Sequence, residues 1–281
     1  MAHGVGITRR EFGVGAAAAA AALSSDWLSG GAHARAALGG GYFERFGVNE
    51  PVLRKTLAAA LSRGGDYADV FFQHRLINRL TLEDGEVNRA FAAVELGAGV
   101  RVIKGDQTGY AFTEDLTAEA LARAAQTAAA IADGPARPGP TALRMTEGLP
   151  QRYPLKLGWD TIGTKEKLPL LTRLDAATRK ADARVKKVNV QFSDEAGAIL
   201  LCDSDGRVVE DRQPMTSLYL SCVAEDSKGR REQNGYNVAG RAGLAFYTEE
   251  RMARLAREAV ARTTILFDAA VPPAGEMQVV L

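Results

Sequence analysis

Behind Asn49, apolar residues recur at helical spacing from residue 50 to 63, with Pro51 in the first turn and Gly64-Gly65 at the far end. An Asn cap, an early proline and a terminal glycine pair predict a helix there. The period then shortens. Residues 67–75 (YADVFFQHR) are rich in β-branched and aromatic side chains, and residues 76–82 alternate, so each run predicts a strand. Asp84-Gly85 sits between them and the β pattern of 87–94 and 97–103, which predicts a tight hairpin. A second turn at 104–107 leads to a strand at 109–113. An alanine-rich stripe over 117–131 predicts an amphipathic helix capped by Thr117 or Asp115.

Residues 134–160 change character. Pro135, Pro138, Pro140, Pro150 and Pro154 fall together with several glycines, as in a linker or an extended crossing segment. Beyond it the pattern resumes. Residues 165–182 predict a helix in which Pro169 is tolerable only near the first turn. Alternation over 185–193 predicts a strand, and Asp203-Ser204-Asp205-Gly206 predicts a turn between the strands 198–202 and 207–210. Residues 215–225 predict a long strand, 233–246 a glycine-rich extended segment, 248–262 a helix, and 277–281 a final apolar strand. The expected fold class is α+β, with two blocks of largely antiparallel sheet and packed helices. The expected organisation is an N-terminal domain at 45–133, the linker, and a middle domain at 161–281.

The start of the chain needs a different reading. Arg9-Arg10-Glu11-Phe12 precedes an alanine-rich apolar run, then Ala32-His33-Ala34. A basic region, a short apolar region and a small-residue site predict a secretory signal over 1–34, cut after Ala34 or, second, Ala36. Arg9, Arg10 and Phe12 give it a twin-arginine character. The expected location is therefore periplasmic or otherwise extracytoplasmic, and cytoplasmic if the signal does not function. The apolar run is too short to span a bilayer, so no stable membrane span is expected.

Charge and rare residues narrow the chemistry. Lys+Arg 35 against Asp+Glu 34 leaves +1, with no basic stripe of the kind a nucleic-acid partner needs. Of three histidines, His3 and His33 fall within the signal, leaving His74 in mid-strand. A zinc site normally needs three or four protein ligands, so His74 reads as a structural or surface residue. Cys202 and Cys222 lie in apolar β segments and read as small buried hydrophobes, with a cross-strand disulfide as the alternative. Residues 203–206 resemble the start of a calcium loop, but the remaining ligand positions are not filled. Residue chemistry by itself assigns no catalytic and no metal-binding residue.

Two stretches resemble a known family. The first is 68–113, notably Leu82-Glu83-Asp84-Gly85-Glu86, Gly99-Val100-Arg101-Val102 and Gly109-Tyr110-Ala111-Phe112-Thr113. The second joins Arg262-Thr263-Thr264-Ile265-Leu266-Phe267-Asp268 to Pro272-Pro273-Ala274-Gly275-Glu276 and the apolar run to Leu281. Together they resemble the N-terminal and middle portions of the TldD/PmbA family, closer to TldD. The resemblance implies a zinc metallopeptidase, or its catalytically silent partner, that cleaves unfolded peptides in a channel between two related subunits. It implies a homo- or hetero-oligomer with a TldD/PmbA relative. The family's zinc is held by an H-E-x-x-x-H pair on a helix and a downstream cysteine. No residue here matches that motif, so the chain is expected to end before the metal-binding domain, to hold no cofactor itself and to be inactive alone. The alternative is a non-catalytic peptide-binding or partner subunit of a complete TldD-like peptidase.

Overall fold

The computed structural model describes residues 41–146, 150, 152–270 and 274–279. Arg9, Arg10, Phe12, Ala32 and Ala34 lie outside the described residues. A short 3-10 turn, Tyr42–Phe46, precedes helix α1, Glu50–Ala60. The Asn49 side chain accepts from Val52 N–H, the cap that the sequence predicts. Strands β1 (Tyr67–Glu83), β2 (Glu86–Lys104) and β3 (Gln107–Thr113) follow, then α2 (Ala118–Ala129) capped by Thr117. A two-residue strand β4 (Arg144–Met145) leads to α3 (Thr164–Ala181). The chain continues through β5 (Val185–Asp203), β6 (Arg207–Glu225), β7 (Arg231–Gly240) and α4 (Glu249–Thr264).

The strands are longer than their hydrophobic runs. What reads as two strands on either side of Leu76 is one, and the same holds for β2, β5 and β6. The two expected blocks of sheet are joined edge to edge. β1 pairs antiparallel with β5 from Asp69↔Asp203 to Glu83↔Asn189, giving one sheet in the order β3-β2-β1-β5-β6-β4, with β7 also on β6. The hairpin turn carries positive φ at both Asp84 (49°) and Gly85 (85°), the requirement of a primed two-residue turn. A bulge opposite Thr81 and Leu82 interrupts the β1–β2 ladder near Asn88.

Both hydrophobic cores lie on one face of this sheet. Phe72 opposes Leu200 and Leu82 opposes Val190, so these even-numbered positions share a side. At one end Leu53 and Leu57 of α1 and Leu121 of α2 pack on Val70, Phe72 and Leu200. At the other, Leu171 and Leu174 of α3 and Leu255 of α4 pack on Val190, Phe192 and Leu220. Gly109 is required where α2 crosses β3, since a Cβ there would run into the Ala128 carbonyl oxygen.

Two local expectations need correction. Pro169 lies inside α3, beyond its first turn, with Leu170 and Leu171 buried immediately after it. Burial of that stripe holds the helix despite the lost amide donor. Residues 277–279 form no strand, and Met277 and Val279 are exposed. An apolar run needs a neighbouring edge to pair with before it becomes a strand.

Candidate functional site

The sheet face opposite the helices is open and carries several exposed large side chains. Odd-numbered positions of β1, β5 and β6 point to it. At its centre Arg75 forks between two carboxylates. Its Nε and Nη2 donate to Glu195 Oε1 and Oε2 at 2.7 and 2.5 Å, and its Nη1 donates to Glu95 Oε2 at 2.7 Å. The bond to Glu195 and the charge of both carboxylates keep the guanidinium firmly protonated. Apolar shelves flank this charged centre. Phe71, Tyr110 and Phe112 are exposed at one end, and Met215 and Tyr219 at the other. The Tyr110 ring lies over Gly99, and a Cβ at that position would collide with its hydroxyl.

The same region has a free strand edge. β3 covers β2 only from Ala98 to Lys104. Among the described residues, 86–97 of β2 have β1 on one side and no strand on the other. Val87, Phe91 and Val94 on this edge are 47%, 50% and 64% exposed, values more typical of a contact surface than of a sheet interior. A charged centre, apolar shelves and unpaired main-chain groups suit an extended chain of little side-chain preference.

The buried His74 imidazole holds the fold through its Nδ1, while its Nε2 is buried with no hydrogen-bond partner among the described residues. His74 is 1% exposed, and its Nδ1 lies 2.6 Å from the Tyr42 hydroxyl. Tyr42 N–H donates to Glu210 Oε2 at 2.9 Å, and the Arg212 and Arg45 guanidinium carbons stand 3.8 and 4.1 Å from the Tyr42 ring centre. Burial, then the charges of Arg45 and Arg212, push the His74 imidazole below its ordinary pKa. Burial raises the Glu210 carboxyl against the opposing Tyr42 N–H. His74 is thus a neutral residue that docks the N-terminal turn onto the sheet, the structural role expected of it.

A second cluster carries no signature in the sequence. Lys167 Nζ of α3 lies 2.6 Å from Asp194 Oδ2, an ion-pair contact off the hydrogen-bond axis, with the side chains 3% and 0% exposed. Asn78 Nδ2 donates to Asp194 Oδ1 at 2.9 Å. Beside them, the Tyr247 and Thr216 hydroxyls are 2.6 Å apart. Lys167 falls on the apolar stripe of α3 with Leu170, Leu171 and Leu174, and a cation in such a stripe is the one clue that could have found it.

The described residues do not fit a zinc ion. Among the described residues no group of three or more His, Cys, Asp or Glu could hold a metal. Cys202 and Cys222 are free and buried in separate cores, so no disulfide joins them. Burial pushes the Cys202 thiol up to about 12 and raises Cys222, whereas a metal ligand must be a thiolate. No helix among the described residues is long and apolar enough to cross a membrane.

Comparison with known proteins agrees with this anatomy. Residues 68–132 match the PmbA/TldA metallopeptidase domain 1, and residues 158–267 match the central domain of the same family. A metalloprotease TldD homologue of Haemophilus influenzae is 30% identical over 228 residues, covering 78% of this chain and 46% of the relative. A metalloprotease of Methanocaldococcus jannaschii is 23% identical, covering 77% and 48%. Among crystal structures, a Thermotoga maritima protein described as a modulator of a DNA gyrase superposes with a TM-score of 0.60 at 18% identity, over 83% of this chain and 50% of that one. TldE of Thermococcus kodakarensis gives 0.51 at 18%, over 74% and 47%. The chain belongs to the TldD/PmbA metallopeptidase family, of which it carries the first and central domains. It spans about half the length of the curated relatives it matches.

Proposed function

We propose that this chain is the peptide-holding half of a TldD/PmbA-type metallopeptidase acting on unfolded peptides. The zinc-binding catalytic residues belong to sequence outside residues 1–281. The observation that carries the reading is the open sheet face, with its Arg75 centre and apolar shelves, in a chain matching two domains of a metallopeptidase family. On the open face, Phe71, Tyr110 and Phe112 are apolar shelves beside the Arg75 centre, and they supply binding without demanding a sequence. The subunit works paired with a second family subunit, and it reaches an extracytoplasmic compartment by the twin-arginine route.

The test is binding and cleavage of a fluorescent unfolded peptide by the purified chain. The expected result is saturable binding with no cleavage, weakened when Phe112 is changed to Asp. Cleavage by this chain alone overturns the reading. Export is tested separately, since changing Arg9 and Arg10 together to Lys is expected to trap the protein in the cytoplasm. Unchanged export refutes that part.

A further inference from the structure

We propose that the free edge of β2 pairs antiparallel with the same edge of a second copy of this chain, about a two-fold axis through Ala92. The inference deepens the paired-subunit part of the reading above, and is separable from its peptide-binding part.

The usable edge is a short window with two natural ends. On one side the bulge near Asn88 breaks the regular alternation, since Thr81 opposes Arg89 while Leu82 opposes Val87. On the other, β3 takes over the edge at Ala98↔Thr113, and Thr113 O approaches Gly97 so closely that an added Cβ would lie at 3.1 Å. Residues 89–95 remain, and their midpoint is Ala92. Two copies related by an axis perpendicular to the sheet keep the same faces on the same side. Directly opposed residues must then share parity, which leaves few registers.

Centring on Ala92 makes the window complementary to itself. Arg89 opposes Glu95 of the second copy at both ends, placing opposite charges face to face twice. Phe91 opposes Ala93 on the open face, and Ala90 opposes Val94 on the other, so each large side chain meets a small one. Moving the axis to Phe91 sets Arg89 against Ala93 and Glu95 against Val87. Moving it to Ala93 sets Phe91 against Glu95 and Arg89 against Gly97. Only the Ala92 register pairs both charges. The groups are available for it, since Glu95 is exposed at the edge and Arg75, its intrachain partner, is also held by Glu195. Joining two copies here satisfies main-chain donors and acceptors that the described residues leave without a strand partner, and removes an edge prone to indiscriminate pairing.

The experiment uses full-length protein. Analytical ultracentrifugation of the wild type is expected to show a concentration-dependent monomer–dimer equilibrium. R89E and E95R each create two like-charge pairs and are expected to sediment as monomers. Their equimolar mixture restores opposite charges at both ends and is expected to recover the dimer. Ala92→Cys places one thiol opposite its symmetry mate, within disulfide reach, while native Cys202 and Cys222 are buried. It is expected to cross-link on mild oxidation. Ala90→Cys, whose mate lies about 13 Å away along the strand, is not. A monomeric wild type at all concentrations, a mixture that fails to dimerise, or equal cross-linking by the two cysteine variants overturns the proposal. A dimer indifferent to every β2 variant overturns the edge assignment while leaving subunit pairing and peptide binding in place.

Discussion

Changing Lys167 to Met tests the reasoning about the interior most sharply. The substitution keeps a flexible apolar stem of similar length on the buried stripe of α3 and removes the ammonium. Asp194 then keeps only the Asn78 amide, at 2.9 Å, in a site where the carboxylate is 0% exposed. Breaking a buried ion pair by removing one partner costs about 3–5 kcal/mol, far more than the ~0–1 kcal/mol of an exposed pair. With a urea m-value of about 3 kcal/mol/M, the unfolding midpoint should fall by about 1 M or more. The pH dependence carries a second signature. Burial raises the Asp194 carboxyl, opposed by Lys167 and then Asn78, and losing Lys167 raises it further. A raised folded-state pKa means stability is fully present below the unfolded carboxylate value, about 3.9, and is lost as pH rises through the folded value. The Met variant should therefore approach wild type in acid and show its full deficit near neutrality. Replacing both partners, with Asp194→Leu in the Met background, should recover much of the loss, although Asn78 is left without its acceptor. Urea titrations followed by far-UV circular dichroism at several pH values give all three comparisons. A neutral-pH deficit below about 1 kcal/mol, or one that does not change with pH, would refute a dry, paired Asp194.

Further expectations follow from single contacts. Both cysteines should resist thiol reagents in the folded chain and react only on unfolding, since burial holds Cys202 up at about 12 and raises Cys222; fast labelling of native protein would contradict this. Gly109→Ala should destabilise by about 1–3 kcal/mol because its methyl meets the Ala128 carbonyl, and calorimetry should show a lowered Tm; an unchanged Tm would refute the close approach. Burial would raise the Asp84 carboxyl, but Val188 N–H and Arg179, at 3.0 and 2.6 Å, outweigh it and depress its pKa. Its contribution is present above the unfolded carboxylate value and lost as pH falls through the folded one, so Asp84→Asn, which tolerates the positive φ of the turn, should cost stability at neutral pH and little in acid. An equal cost at both pH values would count against that assignment.

Local chemistry was legible in the sequence, and distant pairing was not. Asn49, Thr117 and Thr248 act as caps where their positions imply, because a cap depends on the next three residues alone. Asp84-Gly85 makes its hairpin for the same reason. The strands run beyond their apolar stretches because Arg75, Glu95, Glu195 and Gln213 interrupt the apolar alternation. Those residues occupy the open face, where Arg75 pairs with Glu95 and Glu195 across three strands. The junction of the two halves into one sheet through β1 and β5 links residues more than a hundred positions apart, and no local pattern encodes it. The same holds for Lys167 and Asp194, whose partnership spans α3 and β5. The resemblance to TldD/PmbA survives as family membership. The apolar run at 277–279 does not survive as a strand.

We infer that this chain holds peptide and contributes no metal chemistry of its own. Zinc stoichiometry tests it most directly. The purified 281-residue chain, equilibrated with zinc, passed through a desalting column and measured by mass spectrometry of the metal, should carry far less than one ion per chain. His74→Ala and Cys202→Ala variants should not alter that value. One tightly held zinc per chain, lost in either variant, would contradict the account and place the catalytic metal within these residues.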